Sequence, residues 1–278
     1  MKIQTKYFYW SPFLTPIATP KAVINSAHAL QKFSKTNSCS IINFFGEYNV
    51  FKNELEENQI KTINCFRESL IKYFPKYGKI KSRISFLLIF ILSFFPLKKL
   101  LIKEKPDYLI IHLITSLPLF LLLFYDFKTK FILRISGLPK LGIFRKFLWS
   151  VALKNIHLIT CPTVNTMNYI RNLNIVSSEK IQLLYDPVID IKKIKQKKIH
   201  NEKLINFDNK KYFLAAGRLT KQKNFLFLCK AFKEVIQKYP DLNLLIAGDG
   251  EEKNLIQNYI NKNNLQKKIF LIGYVENI

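Results

Sequence analysis

The sequence predicts an α/β fold built as two units on parallel sheets. Three observations point there. Short apolar runs of strand length alternate with amphipathic helical stretches along most of the chain. A strand–loop–helix–strand unit stands out at residues 212–250. A lysine-rich run without a clear period, DIKKIKQKKIHNEKLINFDNKK, separates that unit from everything before it. The expected organisation is a first domain over residues 1–190, a linker over 191–210 and a second domain over 211–278.

In chain order, Lys6 to Trp10 reads as the first strand. Thr19 then caps a helix with Pro20 at its first position and Val23, Ala27 and Leu30 facing inward. Ser40 to Phe45 and Ile60 to Phe66 read as the next strands, joined by a polar connection with Glu54, Glu56 and Glu57. Residues 67–83 interleave basic and aromatic side chains. That pattern fits nucleic acid, an anionic membrane surface or a solvated face of loop and helix. Ile84 to Leu97 is uncharged and apolar. As a helix it would be about 21 Å long, short of a hydrocarbon core of roughly 30 Å, so a buried or interfacial helix is expected rather than a span. A strand at 108–113, a helix at 118–124, and a strand at Phe131 to Ile135 follow. Then come an amphipathic helix over 143–153, a strand at Ile156 to Thr160, a helix from Thr163 to Leu173 with Thr163 as its cap, and an exit strand at Lys180 to Tyr185.

In the second unit, residues 212–216 suit a buried strand. Asn224 is the expected cap of a helix whose apolar stripe is Phe225, Leu228, Phe232, Val235 and Tyr239, and Pro240 stops it. Leu242 to Ala247 is a second strand. Gly248-Asp249-Gly250 turns the chain into another helix with Glu251 and Glu252 in its first turn. Lys267 to Ile272 is a third strand. Open sheets of this kind bind ligands at the strands' C-terminal ends. There the chain places Gly217-Arg218-Leu219-Thr220-Lys221-Gln222-Lys223-Asn224. Gly217 permits close backbone approach, Arg218 offers a planar fork to phosphate, and Lys223 adds a charge beside a helix N-terminus. The loop reads equally as a diphosphate cradle or as a solvated basic loop.

Composition bounds the partners. A chain of 278 residues holds one large or two ordinary domains, and 49% hydrophobic residues exclude a disordered chain. A net charge of +25 favours anionic partners, although richness in Lys, Asn and Ile is also what an AT-rich genome would give. Cys39, Cys65, Cys161 and Cys229 lie far apart with no C-x-x-C pair. This argues for a reducing compartment and against a zinc site or disulfide framework. Residues 1–20 show no secretory signal.

The runs GRLTKQKN, AFKEVIQKYPDLNLLIAGDG and LIGYVENI, in that order, resemble the donor-binding domain of the GT-B-fold glycosyltransferases of family 4, the glycosyl transferases group 1 family. KPDYLIIHL, LITCPTVNTMNYI and the run Lys180 to Val188 resemble segments of that family's first domain. The resemblance implies a GT-B fold of two Rossmann-like domains. It implies transfer of a sugar from a nucleotide-diphosphate sugar to a glycan or lipid-linked acceptor in envelope polysaccharide synthesis, with retention at the anomeric carbon. The diphosphate contacts fall on Arg218 and Lys223, with Gly217 as the close-approach glycine. Lys21, His112, Arg134, Ser136, Gly248 and Gly250 are candidate cleft residues. His112 reads also as a satisfied core residue, and Lys21 as a surface lysine.

Two departures stand out. The loop SPFLTPIATPK lacks the family's glycine pair, and Ser136-Gly137 stands where many members carry a histidine, so no catalytic residue is transferred. No cofactor is expected beyond the donor substrate, and no D-x-D is present to hold a metal. Beyond GYVENI the family carries an E-x7-E element. The second domain is therefore expected to be incomplete, as a truncated product or with its sheet edge covered by something else. A second reading is an inactive remnant that binds nucleotide or a partner subunit. A nucleic-acid binder rests on net charge alone. The expected location is the cytoplasm, including the inner face of the plasma membrane.

Overall fold

A computed structural model of the chain describes residues 4–275 apart from 17, 67–68, 76–78, 140, 188–190, 192–193 and 196–210. The chain divides into two compact units, Met1–Asp190 and Ile191–Ile278. The lysine-rich run expected as a linker lies almost wholly outside the described residues.

The first unit is a seven-stranded parallel sheet between helices. Its elements are β1 (Thr5–Trp10), α1 (Ala18–Phe33), β2 (Asn37–Ile42), α2 (Lys52–Glu57), β3 (Lys61–Ile63), α3 (Lys79–Glu104), β4 (Tyr108–Ile111), α4 (Ser116–Phe124), β5 (Lys130–Arg134), α5 (Ile143–Ala152), β6 (Leu158–Cys161), α6 (Val164–Asn172) and β7 (Ile181–Leu183). The strand order is β3-β2-β1-β4-β5-β6-β7. The chain therefore builds outward from β1 in one direction, then restarts beside β1 with β4 and builds the other way. The loops leaving β1 and β4 diverge at that switch point, which opens a crevice at the strands' C-terminal ends.

Side-chain alternation with a period of two fills both faces. Phe8, Trp10, Leu109, Ile111, Phe131 and Leu133 point into one core with the buried residues of α3, α4 and α5. Tyr9, Cys39, Ile41 and Ile110 point into the other, against Val23, Ile24 and Ala27 of α1. After β2 the chain turns at Gly46 and buries Glu47, whose Oε2 accepts a hydrogen bond from the Phe45 amide at 3.0 Å. Loss of water raises the Glu47 carboxyl to about 7.

Several boundaries move from the sequence expectation. α1 begins at Ala18, so Thr19 is not its cap and Pro20 sits inside the first turn, where a missing N–H costs no helical bond. β2 ends at Ile42; Phe44 and Phe45 are buried in the following turn rather than in a strand. The connection carrying Glu54 to Glu57 is helical. α3 far exceeds residues 84–97: its 26 residues span about 39 Å. Arg83 and Lys98 read as the borders of the apolar run, but arginine and lysine are good helix formers and their charge does not end a helix. By length and composition alone, Lys81–Glu104 is sufficient to cross a membrane. Thr163 does cap α6, its hydroxyl accepting from the Thr166 amide at 3.1 Å.

The second unit is a three-stranded parallel sheet in the order β10-β9-β8, from β8 (Tyr212–Ala216), α7 (Phe225–Lys238), β9 (Asn243–Ala247), α8 (Lys253–Lys262) and β10 (Ile269–Gly273). β9 is central and buried along its whole length, and its core includes Phe225, Cys229 and Phe232 of α7 and Ile256 and Ile260 of α8. β8 is not the buried strand expected. It is an edge strand, and Tyr212, Phe213 and Leu214 are each about half exposed, Phe213 meeting the Phe232 ring edge-on. An apolar run identifies a strand but not its place in the sheet. α8 starts at Lys253, so Glu252 occupies the cap position and Glu251 precedes it.

Candidate functional site

In the second unit the basic loop and the glycine turn are stitched together. Gly217 N–H donates to Ala247 O at 2.9 Å, Leu219 N–H to Asp249 O at 3.0 Å, and Glu252 N–H to Leu219 O at 2.9 Å. Leu219 is buried between the two loops, leaving Arg218, Lys221 and Lys223 exposed around it. None of these three cations makes an ion pair among the described residues. Thr220 O accepts from the amides of Lys223 and Asn224 at 2.9 and 3.2 Å, which folds the loop onto the start of α7.

Asn224 holds the cap position, but in the left-handed region at φ 53° and without a side-chain cap bond. Asparagine suits that backbone because it tolerates the left-handed region better than most residues. Thr220 Oγ1 is buried beside Arg218 with no hydrogen-bond partner among the described residues, a feature the sequence reading did not single out.

Close packing requires glycine at Gly248 and Gly250, and a φ of 158° favours it at Gly217. A Cβ on Gly248 would lie 1.9 Å from Gly217 O, and one on Gly250 would lie 2.4 Å from Leu219 O. At Gly217 the added carbon would meet only the Phe225 ring at 3.4 Å. Close approach thus concerns the packing of one loop on the other, and it holds Arg218 at the strands' C-terminal edge.

In the first unit a cavity of about 470 Å³ opens at the switch point. The loop after β1 contributes Phe13 and Leu14, the loop after β4 His112 and Thr115, the loop after β5 Arg134 and Ser136, α3 Ser82 and Phe86, and α5 Arg145 and Trp149. Of the first-unit candidates, the cavity gathers His112, Arg134 and Ser136. Burial, together with the charge of Arg134, lowers the His112 imidazole to about 3. At neutral pH it is therefore an uncharged hydrogen-bonding group and a weak base.

Arg134 is buried and committed. Its Nε donates to Asp186 Oδ1 at 3.1 Å, its Nη2 pairs with the same carboxylate, and its Nη1 donates to Leu184 O. It fastens β5 to the segment after β7 and is not a free cation. Lys21 lies outside the cavity lining. It pairs with Glu54 and sits 5.2 Å from the Phe51 ring centroid, which makes it a surface pair.

The cavity also holds a strained residue. Ile114 has φ 49°, unusual for a β-branched side chain, and its carbonyl accepts from Trp10 Nε1 at 3.1 Å. Ser82, Phe86, Arg145 and Trp149 escaped the sequence reading, because α3 and α5 reach the cavity only through the tertiary fold.

A family model described as glycosyl transferases group 1 matches residues 196–278. The match takes in nearly all of this second unit. The curated relatives agree. An uncharacterized glycosyltransferase of Methanocaldococcus jannaschii is 33% identical over 199 residues, covering 64% of this chain and 48% of the relative. The N-acetylgalactosamine-N,N'-diacetylbacillosaminyl-diphospho-undecaprenol 4-alpha-N-acetylgalactosaminyltransferase of Campylobacter jejuni is 33% identical over 113 residues, 41% of this chain and 28% of the relative. The chain thus spans about half or less of the length of these relatives. Among solved structures, Anabaena HepE in complex with UDP and glucose superposes with a TM-score of 0.62 at 12% identity, over 98% of this chain and 70% of that one. At that identity the likeness shows the fold alone: α/β, of the GT-B type, with a Rossmann-like sheet in each unit. The glycosyl transferases group 1 segment contains the whole Arg218–Gly250 arrangement.

Proposed function

We propose that the protein is a glycosyltransferase that moves a hexose-type sugar from a nucleotide-diphosphate sugar to a glycan or lipid-linked acceptor, with retention at the anomeric carbon, in envelope polysaccharide synthesis. The observation that carries this reading is the pair of cations Arg218 and Lys223, without an ion pair among the described residues, held beside the N-terminus of α7 at the C-terminal edge of a parallel sheet within the family-matched segment. As the bond from the anomeric carbon to the diphosphate oxygen breaks, negative charge grows on the leaving nucleoside diphosphate. Arg218 can pair two phosphate oxygens through its fork, Lys223 adds a second charge, and the helix end favours the anion. With charge neutralised by side chains, the reading places no metal in the reaction. The acceptor sits in the first unit's cavity, where His112 acts as a neutral hydrogen-bond partner for a hydroxyl. The work is done on the cytoplasmic side.

Replacing Arg218 with alanine should weaken nucleoside-diphosphate binding by about 1.5–3 kcal/mol, roughly 10- to 150-fold. Titration calorimetry checks this, and unchanged affinity would remove the cradle assignment. Radiolabelled nucleotide-sugar incubated with lipid-linked acceptor then tests turnover. Binding without transfer would leave a nucleotide-binding protein in place of an enzyme.

A further inference from the structure

We infer that the outer face of α3 seats the first unit in an anionic lipid bilayer, and that the cavity beside α3 opens at the level of that bilayer to take an acceptor carried on lipid. The second half of this inference rests on the transferase reading above.

α3 buries one narrow row. Ser85, Ile89, Ser93, Leu97 and Leu101 recur every four residues and are all closed to water. A surface helix with such a row normally turns polar side chains outward. Here the outward face is apolar too: Ile84, Leu87, Ile91 and Phe95 are 49%, 60%, 56% and 73% exposed. They lie three and four residues apart, so they form one continuous stripe of the kind that marks a contact surface.

Two observations select the bilayer as its occupant. First, the charge around the stripe is of one sign. Lys81 and Arg83 precede it and Lys99 and Lys103 follow it, all exposed, and Glu104 at the far end is the one acid in the helix. Basic groups at both ends of an apolar stripe match anionic headgroups above an acyl layer. Second, Ile89, Leu97 and Leu101 belong to the core of the sheet. That row fastens the helix along the domain, so it lies in the interface with its outer half immersed. Phe86, one turn before Phe90 on the same helix, lines the cavity together with Ser82. An acceptor anchored by its tail would reach the cavity without leaving the lipid.

The test uses the full chain with vesicles of phosphatidylcholine alone or mixed with phosphatidylglycerol, read by co-sedimentation. The expected result is sedimentation with the anionic vesicles, weakened by salt. In the Leu87→Glu/Ile91→Glu variant it should fall by at least about tenfold, with unchanged circular dichroism and unchanged nucleotide affinity. A Lys99→Glu/Lys103→Glu variant should lose the preference for anionic lipid. Trp149 in the cavity reports depth: brominated lipid should quench its emission, and Trp149→Phe should abolish that quenching. The bilayer seat is overturned if the chain stays in the supernatant or if the Leu87/Ile91 variant sediments like wild type. It is also overturned if those substitutions convert a dimer to a monomer that wild-type vesicles never recruit, which would make the face a contact between copies. Sedimentation without quenching overturns the cavity half. Vesicle binding by a chain that binds no nucleotide would remove the transferase reading and leave the seat standing.

Discussion

Gly248→Ala should cost the second unit about 4 kcal/mol, a large share of its stability. The added Cβ would stand 1.9 Å from the carbonyl oxygen of Gly217, and the glycine holds φ 142°, where an L side chain is strained. Overpacking a closed contact costs about 1–3 kcal/mol and a disfavoured backbone about as much again. Neither neighbour can give way cheaply. Gly217 is fixed by its bond to Ala247, and Gly248 N–H donates to Gly273 O at 2.6 Å, which ties the turn to β10. Domains hold only about 5–15 kcal/mol in total. Calorimetric unfolding checks the result, with Gly137→Ala as the control, because a Cβ there meets nothing within 4 Å. If Gly248→Ala unfolds like that control, the two loops are not packed as described. Because Arg218 rides on the same pair of loops, nucleotide binding should fall with the fold.

Glu47→Gln should stabilise the first unit at pH 8 by about 3 kcal/mol and leave it unchanged near pH 4. The carboxyl has an unfolded value of 4.5 and a folded value of about 7, because burial disfavours its charged form. Below the unfolded value both states are protonated and folding loses nothing. Between 4.5 and 7 the unfolded chain releases the proton while the folded chain keeps it, so stability falls as pH rises, and above 7 the loss is complete. At about 1.36 kcal/mol per unit the whole window amounts to about 3 kcal/mol. Glutamine keeps an oxygen for the Phe45 amide but never ionises. His112 acts in the opposite direction, since its lowered value weakens the fold as pH falls. It is common to both chains and cancels in the difference. Urea titrations from pH 4 to 8 decide the matter: parallel stability curves for the two chains would mean Glu47 is not buried as an acid.

Much of the architecture was legible because parallel strands announce themselves as apolar runs and the intervening helices by their periodicity. The β8–α7–β9 unit follows from residues 212–250 alone, including the glycine turn after β9, but not the packing of Gly248 on Gly217 and of Gly250 on Leu219. The rest depended on distant contacts. The apolarity of Tyr212 to Leu214 could not say that β8 would lie at an edge. Arg134 reads as a spare cation until Asp186, 52 residues away, is seen to hold it. The hydrophobic stretch at 84–97 told of an apolar helix, but not that one narrow row would enter the core and leave Leu87 and Ile91 outside. The cavity was half legible: loops after strands are readable, whereas Phe86 and Trp149 arrive from helices placed by packing.

The bond from the Trp10 indole to the carbonyl of Ile114 works as a crossbar. It joins the end of β1 to the loop after β4, the two strands from which the sheet grows in opposite directions. Loops that diverge from such a point would otherwise be free to spread. Here the length of one indole sets their separation, and the left-handed Ile114 is the backbone conformation that meets it. That single bond therefore ties the two diverging strand ends to each other beside Ile114, one of the residues that line the cavity.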